Sequence, residues 1–443
     1  MGDIHVTREL LLGVQRGELP LRLLTQIGLE HLLSLCPYCR QEFEAFRRKS
    51  GAVRSGPDAS LVTAALGAQL SRMETEHRRA KRDLRDLLAL KKEDRAGRIQ
   101  RSRGRFRGSH LAQLLLEEGQ KLLTTQPWEA FHLAELAHIT LQHSPLGPEM
   151  PGLLALSAAS MANASRTGGD RRWAEEQFNH VRYLITEHSV TEPAILARVD
   201  DLEGSLRKDQ RRLTLAEELF TRAVMLYRLA DSPVDVARSL LNLAGTNNIQ
   251  GRPDRAVEVT RRALEELSPE REPRLYMNGR YNLALFLVEN GEPRQAAEVL
   301  DADADLYQRY PEPWVQLRLT GLRGKIAAAR GDIATAEAAF LAMREGFLQE
   351  GLGYDAAIVS MDLALLYLRQ GRTAELKALA KEMLPIFRSQ DVHREAITAL
   401  FLFHEAVREE QVTAAFIREL AAYLDAARHD PGLRFRQGAE PAP

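Results

Sequence analysis

The sequence has few cysteines, no long apolar run and almost no net charge, and each shortage excludes a class of protein. Only Cys36 and Cys39 occur in 443 residues, too few for a disulfide framework. No run of about 18 apolar residues occurs, and the first residues lack a basic stretch followed by an apolar one, so we expect a cytoplasmic protein. A formal net charge of -1 gives no whole-molecule attraction to nucleic acid.

The remaining composition is that of a folded protein. Hydrophobic residues make up 44% of the chain and charged residues 27%, which excludes global disorder. Because 443 residues exceed what one hydrophobic core usually organises, we expect a multidomain or repeat architecture.

A 40-residue repeat organises the central part of the chain. Prolines recur at this step at Pro193, Pro233, Pro273 and Pro313, and Gly353 takes the next position. Proline is favoured in the first turn of a helix, where its missing N–H would have no partner in any case. Each proline therefore predicts the start of a helix.

Three further positions of the repeat carry small residues in almost every copy. Eleven residues after each helix start lie Gly204, Ala244, Ala284, Gly324 and Ala364. Twelve residues beyond those lie Ala216, Ala256, Ala296, Ala336 and Leu376. Glycines of the intervening turn are Gly251, Gly291, Gly331 and Gly371. Small residues let paired helices approach closely, and glycine tolerates the left-handed conformation that ends a helix. The repeat is predicted to be a helix-turn-helix unit, and the fold class all-α.

The segments GRPDRAVEVTRRAL, GEPRQAAEVL and GDIATAEAAFLAM resemble the core of the tetratricopeptide repeat (TPR). The resemblance spans roughly residues 109–425 and implies a right-handed helical solenoid of about seven helix pairs with a concave inner surface. TPR units usually have about 34 residues, so a 40-residue step implies longer helices or turns. We expect a capping helix in TAAFIRELAAYLDAAR and a flexible tail over residues 426–443.

The first helix of each TPR unit lines the inner surface, so repeat-equivalent residues on these helices form a row. Five residues after the helix starts lie Arg198, Arg238, Asn278 and Arg318, and four residues further lie Asn242, Asn282 and Asp362. Arginine binds carboxylates in a bidentate manner, and asparagine can hold a peptide backbone. The row predicts a groove for a protein segment that carries acidic groups. The alternative is a solvated helix face whose residues pair with nearby Glu and Asp.

Aromatic and aliphatic residues also recur at helical spacing in these repeats. They are Phe220, Leu243, Tyr281, Leu283, Trp314 and Phe340. We interpret them as core residues and not as a ligand site, because such spacing is typical of a buried helix face.

The N-terminal fifty residues carry a second resemblance, to the zinc-binding module of bacterial anti-sigma factors. His5, His31, Cys36 and Cys39 occupy the corresponding positions and would form a tetrahedral His2Cys2 zinc site. The resemblance implies a sigma factor as partner. His31 and Cys36 are separated by four residues where the family has three, so the helix must end before Cys36, which Pro37 favours. The alternatives are a site that has lost its metal, two cysteines that act as small hydrophobes, and a redox pair.

A basic segment joins this module to the repeats. Residues 78–107 contain thirteen Lys and Arg against four Asp and Glu. We expect a module over residues 1–50, a linker over 51–62 and a basic helical connector over 63–108. A nucleic-acid contact through this segment is the alternative function, although Phe106 is its single aromatic residue. The commoner explanation is a solvated helix face with a flexible join.

No phosphate-binding loop, nucleophile elbow or paired-carboxylate motif is present. We therefore predict a non-enzymatic regulatory adaptor that captures a protein segment in the groove of its repeats.

The zinc prediction is tested by metal analysis of protein purified under reducing conditions. We expect one zinc ion per chain, and its loss in the Cys36→Ser/Cys39→Ser double variant, because thiolates are half of the ligand set. A metal-free protein, together with zinc in a variant shortened by one residue between His31 and Cys36, would contradict it.

Overall fold

The computed structural model describes residues 75–102, 104–144, 149–388, 393–428 and 433–435. All regular elements in these ranges are helices, nineteen in number. The chain divides into two units, described separately below. The first comprises Met1–Ala164, Asn179–Ile195 and Leu229–Asp231, and the second comprises Ser165–Phe178, Leu196–Arg228 and Ser232–Pro443.

Two helices of the basic connector precede the helix pairs. They are α1 (75–88) and α2 (Lys92–Arg101). Their apolar residues share one core with the helices that follow, because Leu87, Ile99 and Phe106 pack in the same cluster as Leu115 and Leu136. The connector is thus folded against the first helix pair. The predicted domain boundaries at 50, 62 and 108 stay predictions.

Seven consecutive helix pairs follow, which confirms the expected helix-turn-helix organisation. The first three pairs are α3 (Ser109–Leu122) with α4 (Pro127–Gln142), α5 (Met150–Thr167) with α6 (Arg171–Glu187), and α7 (Pro193–Asp209) with α8 (Leu213–Leu229). The next two are α9 (Pro233–Ile249) with α10 (Pro253–Glu265), and α11 (Pro273–Glu289) with α12 (Pro293–Ala302), the latter continued after a break by α13 (Ala304–Gln308). The last two are α14 (Pro313–Arg330) with α15 (Ile333–Gln349), and α16 (Gly353–Arg369) with α17 (Thr373–Arg388). The helices α18 (Arg394–Arg408) and α19 (Ala414–Ala427) complete the described elements.

The 40-residue period fixes where helices begin. The first helices α7, α9, α11 and α14 each begin at the predicted proline, and α16 begins at Gly353. The second helices keep the same step, from Leu213 to Thr373. Proline stands at these starts because the first N–H groups of a helix have no partner within it.

The turn inside each repeat uses a left-handed residue, as predicted. Gly251, Gly291, Gly331 and Gly371 have φ between 68° and 83°, where a residue with a Cβ is disfavoured. Arg211 takes the equivalent position 40 residues earlier, with φ 61°. This arginine Nη2 donates to the carbonyl of Ala422 at 3.1 Å and lies 3.4 Å from the carboxylate of Asp425 in α19.

The small residues lie where helices approach most closely. The nine small residues at the two predicted helix positions are all buried, and so is Leu376, which takes the tenth place. A Cβ added to Gly204 would lie 2.9 Å from the Phe220 ring, and one added to Gly324 would lie 2.8 Å from the Phe340 ring. A glycine on the first helix therefore makes room for a phenylalanine on the second.

Two apolar clusters fill the second unit. One joins residues of α7 to α14, and the other joins residues from Ala327 to the last helix. Helix α19 packs against α16 as well as α18, as expected for a helix that caps the end of the array.

Gly324→Ala is expected to lower the free energy of unfolding by about 1–3 kcal/mol, because the added methyl group overpacks the Phe340 ring. Gly245→Ala is the matched control, since a Cβ there meets nothing within 4 Å. It is expected to stabilise by up to about 1 kcal/mol through helix propensity alone. Urea denaturation followed by circular dichroism measures both, and Phe340→Leu should restore stability to the Gly324→Ala variant. Equal effects of the two glycine variants would refute the close-approach account.

Candidate functional site

The first helices of successive repeats are neighbours in the second unit, as the sequence predicts. Helix α11 contacts both α9 and α14. Side chains one repeat apart touch: the Asn242 amide donates to Asp201 at 3.1 Å, and the Lys325 ammonium lies 3.0 Å from Asp362. Side chains on neighbouring first helices are therefore close enough to bind each other.

The earlier part of this row is held by carboxylates of the protein itself. The Arg198 guanidinium lies 3.5 Å from Asp201, and Arg238 pairs with Asp235. Asp201 is 3% exposed and also accepts a hydrogen bond from Ser239 at 2.9 Å. Arg198, Arg238 and Asn242 therefore bind acidic residues of the protein itself. This is the alternative to a groove that binds a partner.

The electrostatics of this cluster follow from burial. Burial alone would lower the pKa of Arg198, but the nearby Tyr227, Asp201 and Asp235 offset it, and the net shift is upward. Burial raises the pKa of Tyr227 far above its usual value, and Arg198 acts in the opposite direction. Both shifts are upward, so the Arg198 guanidinium stays charged and the Tyr227 hydroxyl stays neutral at neutral pH.

The middle of the row, on α11 and α14, is different. The side chains of Asn278, Asn282 and Arg318 have no hydrogen bond or ion pair with any residue that the structure describes. The Arg318 guanidinium instead lies over the Tyr281 ring, 4.2 Å from its centroid. Arginine binds to an aromatic face through its positive charge, and this arrangement leaves its five N–H donors available.

A pocket opens beside Arg318 between α11, α13 and α14. Its aliphatic floor is made by Met277, Val315 and Leu319. Its other lining residues are Asn278, Tyr281, Tyr307, Trp314 and Arg318. Two of the six residues predicted for the groove, Asn278 and Arg318, therefore lie in one pocket, and the other four do not line it.

Arginines and aromatic rings alternate next to this pocket. Arg274 lies 5.1 Å from the Tyr310 ring centroid and 5.5 Å from that of Trp314, and Arg318 lies 5.9 Å from that of Trp314. Arg274 is also paired with Glu312 at 2.7 Å. Each such contact contributes about 0.5–1 kcal/mol at an exposed site and so favours this stacked arrangement.

Tyr307 is one of the lining residues, and its hydroxyl group is buried. The residue is 3% exposed, and its hydroxyl oxygen has no hydrogen-bond partner among the described residues. Burial raises the pKa of Tyr307 well above its usual value, with Asp303 adding to the shift and Arg280 and Arg318 opposing it. The hydroxyl is therefore a donor at neutral pH.

The aromatic residues divide between core and site. Phe220, Leu283 and Phe340 are buried, so the interpretation as core residues is confirmed for them. For Trp314 that interpretation is wrong, because this side chain is 41% exposed at the pocket rim.

The second helix of this repeat breaks at Asp303 into α12 and α13, and Tyr307 lies on α13. At the break, the Arg280 Nε–H group donates a hydrogen bond to the Asp303 carboxylate at 2.5 Å.

Several cations of the basic connector form ion pairs, either within the connector or with helix α4. Arg95 lies 2.7 Å from Glu129, and Arg105 lies 2.7 Å from Asp83. Phe106, the single aromatic residue of this segment, is 1% exposed and therefore presents no face for stacking on a base.

The predicted zinc ligands His5, His31, Cys36 and Cys39 lie outside the described residues. Within the described ranges, no group of three His, Cys, Asp or Glu is placed to hold a metal ion. No helix in those ranges combines the length and apolar character needed to cross a membrane.

Comparisons with known proteins show the fold. No protein-family model matches the chain, and no curated protein matches it in sequence. The chain is similar to the solved structure of a Rap protein complexed with Competence and Sporulation Factor, at 13% identity and a TM-score of 0.55, covering 72% of this chain and 91% of that one. It is also similar to the apo form of RapI, at 12% identity and a TM-score of 0.52, covering 72% and 87%. The fold is therefore a TPR-like helical-repeat solenoid.

Asp201→Ala is expected to lower the free energy of unfolding by about 3–5 kcal/mol, because it removes a buried carboxylate that pairs with the partly buried Arg198 and accepts hydrogen bonds from Ser239 and Asn242. Asp235→Ala is the control and should cost about 1 kcal/mol or less, since its pair with Arg238 is partly exposed. Arg198→Met in the Asp201→Ala background should recover part of the loss. Equal costs for the two aspartate variants, measured by urea denaturation, would contradict this assignment.

Proposed function

We propose that the protein is a non-enzymatic regulatory adaptor that binds a segment of a partner protein along α11 and α14. The observation that carries the proposal is the contrast within one row of repeat-equivalent residues. Arg198, Arg238 and Asn242 bind carboxylates of the protein itself, whereas Asn278 and Arg318 have no such partner among the described residues. Polar groups with free bonding capacity beside an exposed tryptophan are typical of a protein-binding surface.

The fold supports this proposal by analogy. The Rap protein to which the chain is similar was solved in complex with Competence and Sporulation Factor. Solenoids present extended surfaces on which several repeats contribute to one ligand. Fold similarity alone does not assign a ligand, so the proposal rests on the side chains of the pocket.

A link to transcription belongs to the same proposal. It rests on the resemblance of residues 1–50 to anti-sigma modules, through His5, His31, Cys36 and Cys39. In that scheme the N-terminal module binds a sigma factor, and these four residues hold a zinc ion. Nucleic-acid contact through residues 78–107 is not proposed, because the geometry of that segment offers no exposed aromatic platform.

The adaptor proposal is tested with two arginine variants on one helix. Arg318→Gln removes a pocket cation, whereas Arg323→Gln removes an exposed arginine of α14 that does not line the pocket. We expect immobilised wild-type protein and the Arg323→Gln variant to retain the same protein from a lysate of the source organism, and Arg318→Gln to retain at least tenfold less.

Quantitative mass spectrometry of the retained proteins measures the difference, with unchanged circular dichroism as the control for folding. Equal retention by all three proteins would exclude this surface as the binding site.

A further inference from the structure

We infer that the outward side of α1, a helix of the connector and not of the repeats, binds an acidic segment of a partner protein. This surface, called the basic face below, consists of Arg78, Lys81, Arg82 and Arg85. The inference goes beyond the proposed function, because it gives the adaptor a second binding surface that does not use the pocket of α11 and α14.

Helix geometry places the four cations in one stripe. Residues three, four and seven positions apart lie on the same side of an α-helix, and all four side chains are exposed. The opposite side carries Ala80 and Leu87, which are buried in the apolar cluster that α1 shares with α2, α3 and α4. The stripe is about 10 Å long and stands on a helix that is packed in place.

The carboxylates nearest to the basic face are bound by other cations. Asp83 is 5% exposed and lies 2.7 Å from Arg105, and the same guanidinium pairs with Asp86. Glu129 of α4 lies 2.7 Å from Arg95. These acidic groups therefore neutralise cations outside the basic face.

The cations of the basic face repel one another. The side chains of Lys81, Arg82 and Arg85 have no hydrogen bond or ion pair with any residue that the structure describes. Like charges three or four positions apart destabilise a helix, and the stripe contains four such pairs. An acidic partner would relieve this repulsion, whereas a face that serves only for solvation gains nothing from placing four cations side by side.

Charge balance favours an acidic protein over a nucleic acid. Residues 78–107 carry thirteen cations against four acids in a chain of net charge -1, so the rest of the chain carries -10. Duplex DNA has one charge per about 1.7 Å and would extend past the stripe toward this acidic remainder. Single strands need an aromatic platform, and Phe106 is buried. A short acidic segment covers the stripe alone.

The absence of apolar residues from the surface argues against a lipid membrane. Within the described part of α1 and α2, no leucine or isoleucine side chain is exposed. Helices that lie on membranes insert apolar side chains next to their cations. Arginine binds carboxylates through two parallel hydrogen bonds, so Arg82 and Arg85 suit the side chains of glutamate and aspartate.

The test measures binding of the full chain to four probes at one ionic strength. Two are labelled peptides, one of alternating glutamate and serine and one with glutamine in place of glutamate. The others are a labelled DNA duplex and vesicles that contain phosphatidylserine. Fluorescence anisotropy reports on the peptides and the duplex, and co-sedimentation reports on the vesicles.

We expect the glutamate peptide to bind roughly tenfold or more tightly than its glutamine analogue. Its affinity should fall several-fold between about 50 and about 200 mM salt, because the basic face is exposed. The Lys81→Gln/Arg82→Gln/Arg85→Gln variant should lose the preference for glutamate.

The matched control is Arg255→Gln/Arg261→Gln/Arg262→Gln. It changes the net charge equally by removing three exposed arginines of α10, where Asp254 and Glu258 are interspersed. This control should keep the preference, and so should Arg318→Gln, which alters the pocket of the adaptor proposal.

Thermal unfolding gives an independent readout. We expect the variant without Lys81, Arg82 and Arg85 to have a higher Tm than the wild type in the absence of probes, because like charges are removed from one helix face. A lower Tm would show that these cations stabilise the free protein and would overturn the argument from repulsion.

The inference fails if the two peptides bind equally, if the α10 control loses as much binding as the α1 variant, or if the duplex or the vesicles bind more tightly than the glutamate peptide. Loss of peptide binding in Arg318→Gln alone would also overturn it and would place the acidic segment in the pocket. The adaptor proposal is independent of all the other outcomes, because its own test is retention of a partner by Arg323→Gln and not by Arg318→Gln.

Discussion

The second unit depends on close contact between the two helices of each repeat. At these contact positions only a hydrogen atom or a small side chain fits. Gly204 and Gly324 make room for the Phe220 and Phe340 rings. Because the constraint recurs every 40 residues, the first helices lie side by side, and side chains one repeat apart can touch. The same spacing that packs the core therefore builds the polar row of the candidate site.

Sequence reasoning succeeded where backbone chemistry alone decides the structure. The prolines predict the helix starts, and the turn glycines predict the left-handed residues. Proline restricts the backbone and glycine frees it, whatever residues surround them. The row of Arg and Asn was also predicted. Which of its members bind carboxylates of the protein itself was not. A signal was present, since Asp201 follows Arg198 by three residues and Asp235 precedes Arg238 by three.

The pocket was harder to predict because it depends on tertiary structure. Helical spacing alone does not distinguish Trp314, which is exposed, from Phe340, which is buried. The break in the second helix at Asp303, on which the placement of Tyr307 depends, involves a contact with Arg280 from another helix. The alternation of Arg274 and Trp314 at the same position in adjacent repeats was the available signal.

Arg211 occupies the turn position at which the following repeats have glycine. Its contacts change how the array should unfold. In a repeat protein that couples only nearest neighbours, the last helix can fray without any effect on distant repeats. Arg211 contacts Ala422 and Asp425, which lie 211 and 214 residues further along the chain. Even about 1 kcal/mol from this contact changes the population of a frayed last helix roughly fivefold. The third helix pair and α19 therefore gain stability from each other, and the second unit should lose its ends more cooperatively than a linear stack.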